Sequence, residues 1–294
     1  MKYVQKETYA KWQDVCSFDK LSAVIGPLVG LRRPHLTDVS GANGFTFLVD
    51  DAYVVKIPMT GNGIDKLKKE LMLSTILNRK IEGYDAHMHL SQLTFEEVHG
   101  SYKTVPVLVA EKLKGKVLTV PELREQSKTY QNNFFFSLGR CLSALHHMDC
   151  SGVRLPSFID RELKPATGLY AQRLAPDLRD SFFKKVYADI FGSAAYDVLC
   201  HNDVCLSNIL VDTQKGNVCH LIDFGECVKA PAIFDYWHIE NDPSFKQYVS
   251  IFLQGYQSYK ELLFDPQESQ RISFKAQNIG HSVARIWCEM KQRS

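Results

Sequence analysis

Two runs rich in β-branched and aromatic residues, FTFLVD (residues 45–50) and AYVVKIP (residues 52–58), flank an acidic turn at Asp50 and Asp51. That pattern predicts a β-hairpin. In IDKLKKELMLSTILNRK (residues 64–80) the spacing of Leu67, Leu71, Ser74 and Leu77 predicts a helix with one core-facing stripe, and Glu70 lies beside that stripe. TVPVLVAEKL (residues 104–113) reads as a buried strand ending in the polar turn Lys114-Gly115-Lys116. Downstream the period changes. NNFFFSLGRCLSALHHMD carries Phe135, Leu138, Leu142 and Leu145 at helical spacing. His146 and His147 fall at the end of that helix, where its partial negative charge favours an imidazolium, so they read as caps. NILV (residues 208–211) and VCHLI (residues 218–222) flank the turn DTQKGN and predict a second hairpin. FKQYVSIFLQGYQSYKELL and SFKAQNIGHSVARIWCEMK return to helical spacing. The fold class is therefore α+β, with an antiparallel sheet and a helix first and a larger, mainly helical part after it.

Composition narrows this picture only slightly. A chain of 294 residues buries a sizeable core as one large domain or as two lobes sharing a cleft. With 45% hydrophobic residues, 23% charged residues and a formal net charge of +2, it has no charge excess that would point to nucleic acid or a membrane surface. The N-terminal MKYVQKETYAKWQDVC is polar, and no window approaches the roughly 18 apolar residues of a spanning helix. A cytoplasmic location is the expectation. The eight cysteines stand singly, with no C-x-x-C pair, and read as reduced thiols. Cys200-His201 and Cys219-His220 are adjacent pairs whose side chains would point to opposite faces of a strand, which argues against chelation and structural zinc.

The segment HNDVCLSNILVDTQKGNVCHLIDFGE holds the chemistry. If Asn208 opens the first strand of the second hairpin and Asp223 closes the other, antiparallel pairing sets them side by side. A carboxylate and an amide oxygen converging there suit Mg²⁺, a hard cation that keeps waters or substrate phosphates among its ligands. Asp203, five residues before Asn208, lies in the loop leading into the strand, placed to take a proton from a nucleophile beside a metal-bound phosphate. This is an arrangement for phosphoryl transfer.

The spacing H-x-D-x-x-x-x-N followed by D-F-G matches the catalytic loop and metal aspartate of kinases. HNDVCLSNIL and LIDFGE together resemble the signatures of the aminoglycoside phosphotransferase and choline kinase family, small-molecule kinases with a protein-kinase-like fold. VVKIP, LVAEKLKG and LGRCLSALHHMD follow the family's order, and the resemblance runs from about residue 40 to 235. It implies a nucleotide-binding lobe over residues 1–110, a hinge over 111–116 and a catalytic and substrate-binding lobe over 117–294. It also implies that Lys56 holds the phosphates of ATP or GTP, that Glu70 pairs with Lys56, and that Glu111 and Leu113 offer backbone groups to the base. Gly41 and Gly44 in SGANGF precede the strand that leads to Lys56, where a loop of backbone N–H groups can cover phosphates, although the full G-x-G-x-x-G spacing is missing.

Departures from the pattern bear on the acceptor. Asn202 stands between His201 and Asp203, where protein kinases carry the arginine that grips a phosphorylated activation loop. Ala230-Pro231 follows Gly225 after four residues, which leaves little room for a peptide-docking platform. Asp235 matches the family's aspartate that supports the catalytic loop, and it also stands among the candidate acceptor-binding residues. Glu226, Glu240 and Asp242 would suit a cationic acceptor, and Tyr236, Trp237 and Trp287 would suit a quaternary ammonium. IDFGE departs from the IDFEY of typical choline kinases and favours the antibiotic-kinase branch, with an aminoglycoside-type acceptor. A choline or amino-alcohol kinase is the alternative reading, followed by a protein kinase and a nucleotide-binding pseudoenzyme.

Overall fold

The structure, a computed structural model, describes residues 18–40, 44–58, 61–80, 88–96, 102–174, 176–192, 197–212, 218–269, 271–272, 283–286 and 290. The chain divides into two compact units, Met1–Lys114 and Gly115–Ser294. No helix among the described residues is long and apolar enough to cross a membrane.

The first unit is an antiparallel sheet of five strands: β1 (Leu36–Asp38), β2 (Gly44–Val49), β3 (Tyr53–Pro58), β4 (Met88–Glu96) and β5 (Tyr102–Glu111), in the order β1-β2-β3-β5-β4. The first hairpin is β2–β3, and Asp50 and Asp51 turn it with φ of 49° and 54°, a left-handed conformation that Asp tolerates better than most side chains. Because side chains alternate along a strand, Phe45, Phe47, Val49, Val55, Ile57, Val107 and Val109 share one face and pack with Ile25 of helix α1 (Phe18–Ile25). Helix α2 (Gly61–Lys80) packs on β3, β4 and β5. Its buried positions are Gly63, Leu67, Glu70, Leu73, Ser74 and Leu77. Leu71, expected on this face, is half-buried, because the buried arc at 3.6 residues per turn centres on Glu70 rather than beside it.

The second unit is mainly helical. Its helices include α3 (Val120–Glu125), α4 (Lys128–His146), α5 (Lys164–Ala171), α6 (Pro176–Phe191), α7 (Ile233–Asn241) and α8 (Val249–Tyr259), with a π-helical turn Ile159–Leu163 ahead of α5. Strands β6 (Lys116–Val117), β8 (Ile209–Asp212) and β9 (Val218–Leu221) form one small sheet, and β7 (Val198–Cys200) pairs with β10 (Val228–Ala230) in another. The expected second hairpin is β8–β9, with Ile209 opposite Leu221, and residues 213–217 of its turn lie outside the described residues. Thr119 and Glu122 start α3 with a capping box. Helices α4 and α8 meet through glycines: a Cβ on Gly139 would lie 2.1 Å from the Phe252 carbonyl oxygen, and one on Gly255 2.0 Å from that of Phe136. Only His147 is the C-cap residue of α4, and the capping expectation for His146 is corrected, because this end of α4 packs against α8 and buries His146. Most of the last expected helix, SFKAQNIGHSVARIWCEMK, lies outside the described residues.

Candidate active site

In the first unit, Lys56 sits mid-strand in β3, opposite Thr46 on β2 and Leu108 on β5. Alternation turns it away from Val55 and Ile57. Its Nζ meets both carboxylate oxygens of Glu70, at 2.8 and 2.9 Å. Glu70 is 3% exposed, and a carboxylate that deep requires a cationic partner. Gly44 opens β2 opposite Pro58, and Gly41 lies outside the described residues. Glu111 closes β5 opposite Tyr53 and is exposed, and Leu113 follows it, half-buried. The intervening Lys112 donates its backbone N–H to the Ala52 carbonyl at 2.8 Å.

In the second unit, the loop after β7 brings Asp203 and Asn208 into hydrogen-bond contact. Asn208 does not open β8 but ends a 3-10 turn, Leu206–Asn208, just before it. Its carbonyl accepts the Ile222 N–H at 3.0 Å, which sets it beside the residue preceding Asp223. Its side-chain amide donates to the Asp203 carbonyl at 2.9 Å and to the Asp203 carboxylate at 2.8 Å. Both amide hydrogens are thereby used, and the side-chain oxygen has no hydrogen-bond partner among the described residues. A hard oxygen donor of this kind, on a residue whose backbone is bonded to the neighbour of Asp223, fits Mg²⁺. Asp223 has φ 64° and ψ 59°, left-handed values unusual for a non-glycine residue and typical of functional turns.

The loop itself is fixed from below by Asp235, in the first turn of α7. Asp235 Oδ2 accepts the His201 N–H at 2.7 Å, and Oδ1 accepts the Asn202 N–H at 2.8 Å. His146 Nε2 donates to the same Oδ2 at 3.0 Å, and His146 Nδ1 meets the Tyr256 hydroxyl at 2.9 Å. Burial works to raise the Asp235 pKa, but the His146 bond, the charges of His146 and His201 and the Asn202 amide together hold it below the usual carboxylate value. Asn202 takes φ 62°, as its side chain permits, and its amide donates to the Glu226 carbonyl at 3.2 Å. The His201 imidazole donates to the Ile222 carbonyl at 2.9 Å and packs on Phe224 with centroids 5.0 Å apart. Cys200 Sγ lies within 4.8 Å of ligand atoms of His146 and Asp235. That thiol donates to the carbonyls of Ala230 and Pro231, so hydrogen bonds account for the trio without a metal. Burial pushes the thiols of Cys200 and Cys219 well above their ordinary pKa, and that of Cys141 to about 12.

The acceptor residues read from sequence fare differently. Asp235 is fully buried with both oxygens engaged, and Tyr236 is 2% exposed with its ring against Phe252 and Phe264, so neither is available to a substrate. Trp237 is half-buried and stacks on Phe234, and its Nε1 has no partner among the described residues. The Ser269 hydroxyl bonds to Glu240, and Glu226 is in an ion pair with Arg161. Asp242 accepts the Ser244 N–H at 2.6 Å, and Trp287 lies outside the described residues. Sequence reasoning passed over Tyr256 and Arg161, neither of which stands in a motif.

A family model described as the phosphotransferase enzyme family (APH) matches residues 35–270, and the chain belongs to that family. The fold is likewise the kinase-like α+β fold of its solved members. The ADP-bound aminoglycoside phosphotransferase APH(2'')-Ib superposes with a TM-score of 0.57 at 17% identity, covering 97% of this chain and 90% of that one. The GDP and kanamycin complex of APH(2'')-IIIa gives a TM-score of 0.60 at 15% identity, with 93% and 98% covered. A choline/ethanolamine kinase family protein from Mesorhizobium loti gives 0.53 at 14% identity, with 98% and 87% covered. No curated protein matches the chain in sequence.

Proposed function

We propose that this small-molecule phosphotransferase moves the γ-phosphoryl group of ATP or GTP to a hydroxyl of an aminoglycoside-type acceptor. The observation that carries the reading is the tie between Asp203 and Asn208. One amide group holds the carboxylate that would orient and deprotonate the acceptor hydroxyl, while its oxygen stays available to a metal. Lys56, fixed by Glu70, would bind nucleotide phosphates, and Asn208 with Asp223 would hold Mg²⁺. Mg²⁺, when bound, supplies neutralisation of the charge that develops on the transferred phosphoryl group. The rest is positioning, with Asp235 and His146 setting the backbone of the catalytic loop.

The acceptor class is supported by similarity to solved aminoglycoside phosphotransferases, one of them with kanamycin bound, and not by Glu226 or Glu240, which are already engaged. A small acceptor rather than a peptide is favoured because the Phe224–Glu226 turn is followed after one residue by β10, which pairs directly with β7. The test is an Mg²⁺-dependent turnover screen of aminoglycosides, other antibiotics, choline and amino alcohols with both nucleotides. Asp203→Ala should lower kcat by about a thousandfold or more while nucleotide affinity stays within a few fold. Nucleotide binding lost to the same extent as turnover would mean that Asp203 has another role. Turnover confined to choline or amino alcohols would move the acceptor to the other branch of the family.

A further inference from the structure

The turn that carries Asp223 is only a single 3-10 turn, Phe224–Glu226, entered through a left-handed aspartate, so it cannot hold its own conformation and depends on its surroundings. On one side Phe224 is buried against His201. On the other, two side chains grip Glu226. Asn202 donates to its carbonyl at 3.2 Å, and Arg161 bonds to that carbonyl through Nη1 and forms an ion pair with the Glu226 carboxylate through Nη2. A planar guanidinium reaches both acceptors at once, which a lysine could not do in the same way.

Arg161 comes from the π-helical turn Ile159–Leu163, and that turn is built to stay put. Pro165 has no N–H to give the Arg161 carbonyl, so the regular helical ladder is interrupted, and the Lys164 N–H bonds instead to the Ile159 carbonyl five residues back. Phe158, 4% exposed, packs edge-on against Phe191 and Phe234. Ser157 forms an isolated parallel bridge with Lys229 of β10, and the Lys229 N–H donates to the Pro156 carbonyl at 2.9 Å. Strand β10 begins two residues after Glu226, so the π turn is tethered to the same stretch of chain whose lead-in Arg161 holds.

We infer that Arg161 is a positioning residue for the metal-binding turn: through Glu226 it holds Asp223 in its left-handed conformation, jointly with Asn202 of the catalytic loop. The clamp is permanent, made by side chains of the fold, and needs no phosphorylated segment. The inference rests on the phosphotransferase reading only for its consequence in catalysis, and the experiment separates the two.

Hydrogen–deuterium exchange over residues 222–229 in the free protein is compared for wild type, Arg161→Lys and Arg161→Gln. Loss of the charge-assisted bonds should speed exchange there by about tenfold in Arg161→Gln and by less in Arg161→Lys, with α4 unchanged. Calorimetry should then show Mg²⁺-dependent ADP binding weakened about tenfold in Arg161→Gln, with metal-free ADP binding as in wild type. Wild-type exchange over 222–229 in Arg161→Gln would overturn the inference whatever the binding data say. A wild-type protein that binds no Mg·ADP would count against the phosphotransferase reading alone, with exchange still deciding the role of Arg161. Should Arg161→Gln fail to fold, Arg161→Lys and Glu226→Gln take its place: the second removes the ion pair at constant volume but leaves the carbonyl bond, so each should speed exchange over 222–229 by less than about tenfold, and wild-type exchange in both would overturn the inference.

Discussion

Asp235 is a negative charge with no exposure to water, and it persists because four groups answer it: two backbone N–H groups of the catalytic loop, the His146 imidazole and, behind that, the Tyr256 hydroxyl. Asp235→Asn would turn an amide hydrogen toward donors that need an acceptor, at a cost of about 3 kcal/mol at pH 7. The pKa of Asp235 is lowered in the fold, so its contribution is present above the ordinary carboxylate value of 3.8 and is lost as the pH falls through the lower folded value. Urea unfolding of both proteins from pH 7 to pH 3 should therefore show the stability gap narrowing on the acid side. A gap independent of pH would mean that the Asp235 charge is not what the loop depends on. The role of Asp235 as a loop support was visible in its place after the DFG motif, whereas its partner His146 was not. The sequence sets His146 at a helix end, where a cap is the ordinary outcome, and only the tertiary contact of that end with α8 makes it a buried hydrogen-bonding residue.

Helices α4 and α8 show how that contact is made. Gly139 and Gly255 bring the two backbones so close that a methyl group on either would collide with a carbonyl oxygen of the other chain segment, at 2.1 and 2.0 Å. Backbone does not rotate aside as a side chain would, so Gly255→Ala must push the helices apart and draw the neighbouring Tyr256 away from His146. We expect a loss of about 3 kcal/mol in denaturant unfolding and a fall in kcat with it. An alanine variant as stable as wild type would show that the helices have room to spare. The apolar stripe of α4 and the β8–β9 hairpin were legible because each is long enough to display a period or is punctuated by a turn. Strands β7 and β10 were not, since three residues carry no period and their pairing joins positions 28 to 32 apart, Cys200 with Val228 and Val198 with Ala230. The π turn was also hidden, because Pro165 signals a helix start and not the widened turn before it.

At the scale of the whole chain the ion pair and the proposed catalytic and metal-binding residues belong to different units: Lys56 and Glu70 to Met1–Lys114, and Asp203, Asn208 and Asp223 to Gly115–Ser294. The Lys56–Glu70 pair was expected from the family resemblance, which places a lysine on this strand and its partner on the helix after it, and the other three were singled out by motif spacing. The proposed phosphoryl transfer has both sets serve one nucleotide, since in that chemistry cationic and metal groups act on the phosphates of a single molecule. A double-mutant cycle measures this directly. Lys56→Ala and Asp223→Ala should each weaken Mg·ADP binding by about tenfold to a hundredfold, as expected for loss of a charged phosphate contact or a metal ligand. If both act on the same phosphates, removing one leaves the other a poorly placed ligand to hold, and the combined loss should fall short of the sum by about 1 kcal/mol or more. Strict additivity, within the roughly 0.5 kcal/mol seen for distant independent sites, would mean that the two units do not grip one nucleotide. Circular dichroism of the three variants keeps the result from being read as unfolding, since Lys56→Ala removes the Lys56 charge that is paired with the buried Glu70 and is the variant most exposed to that risk.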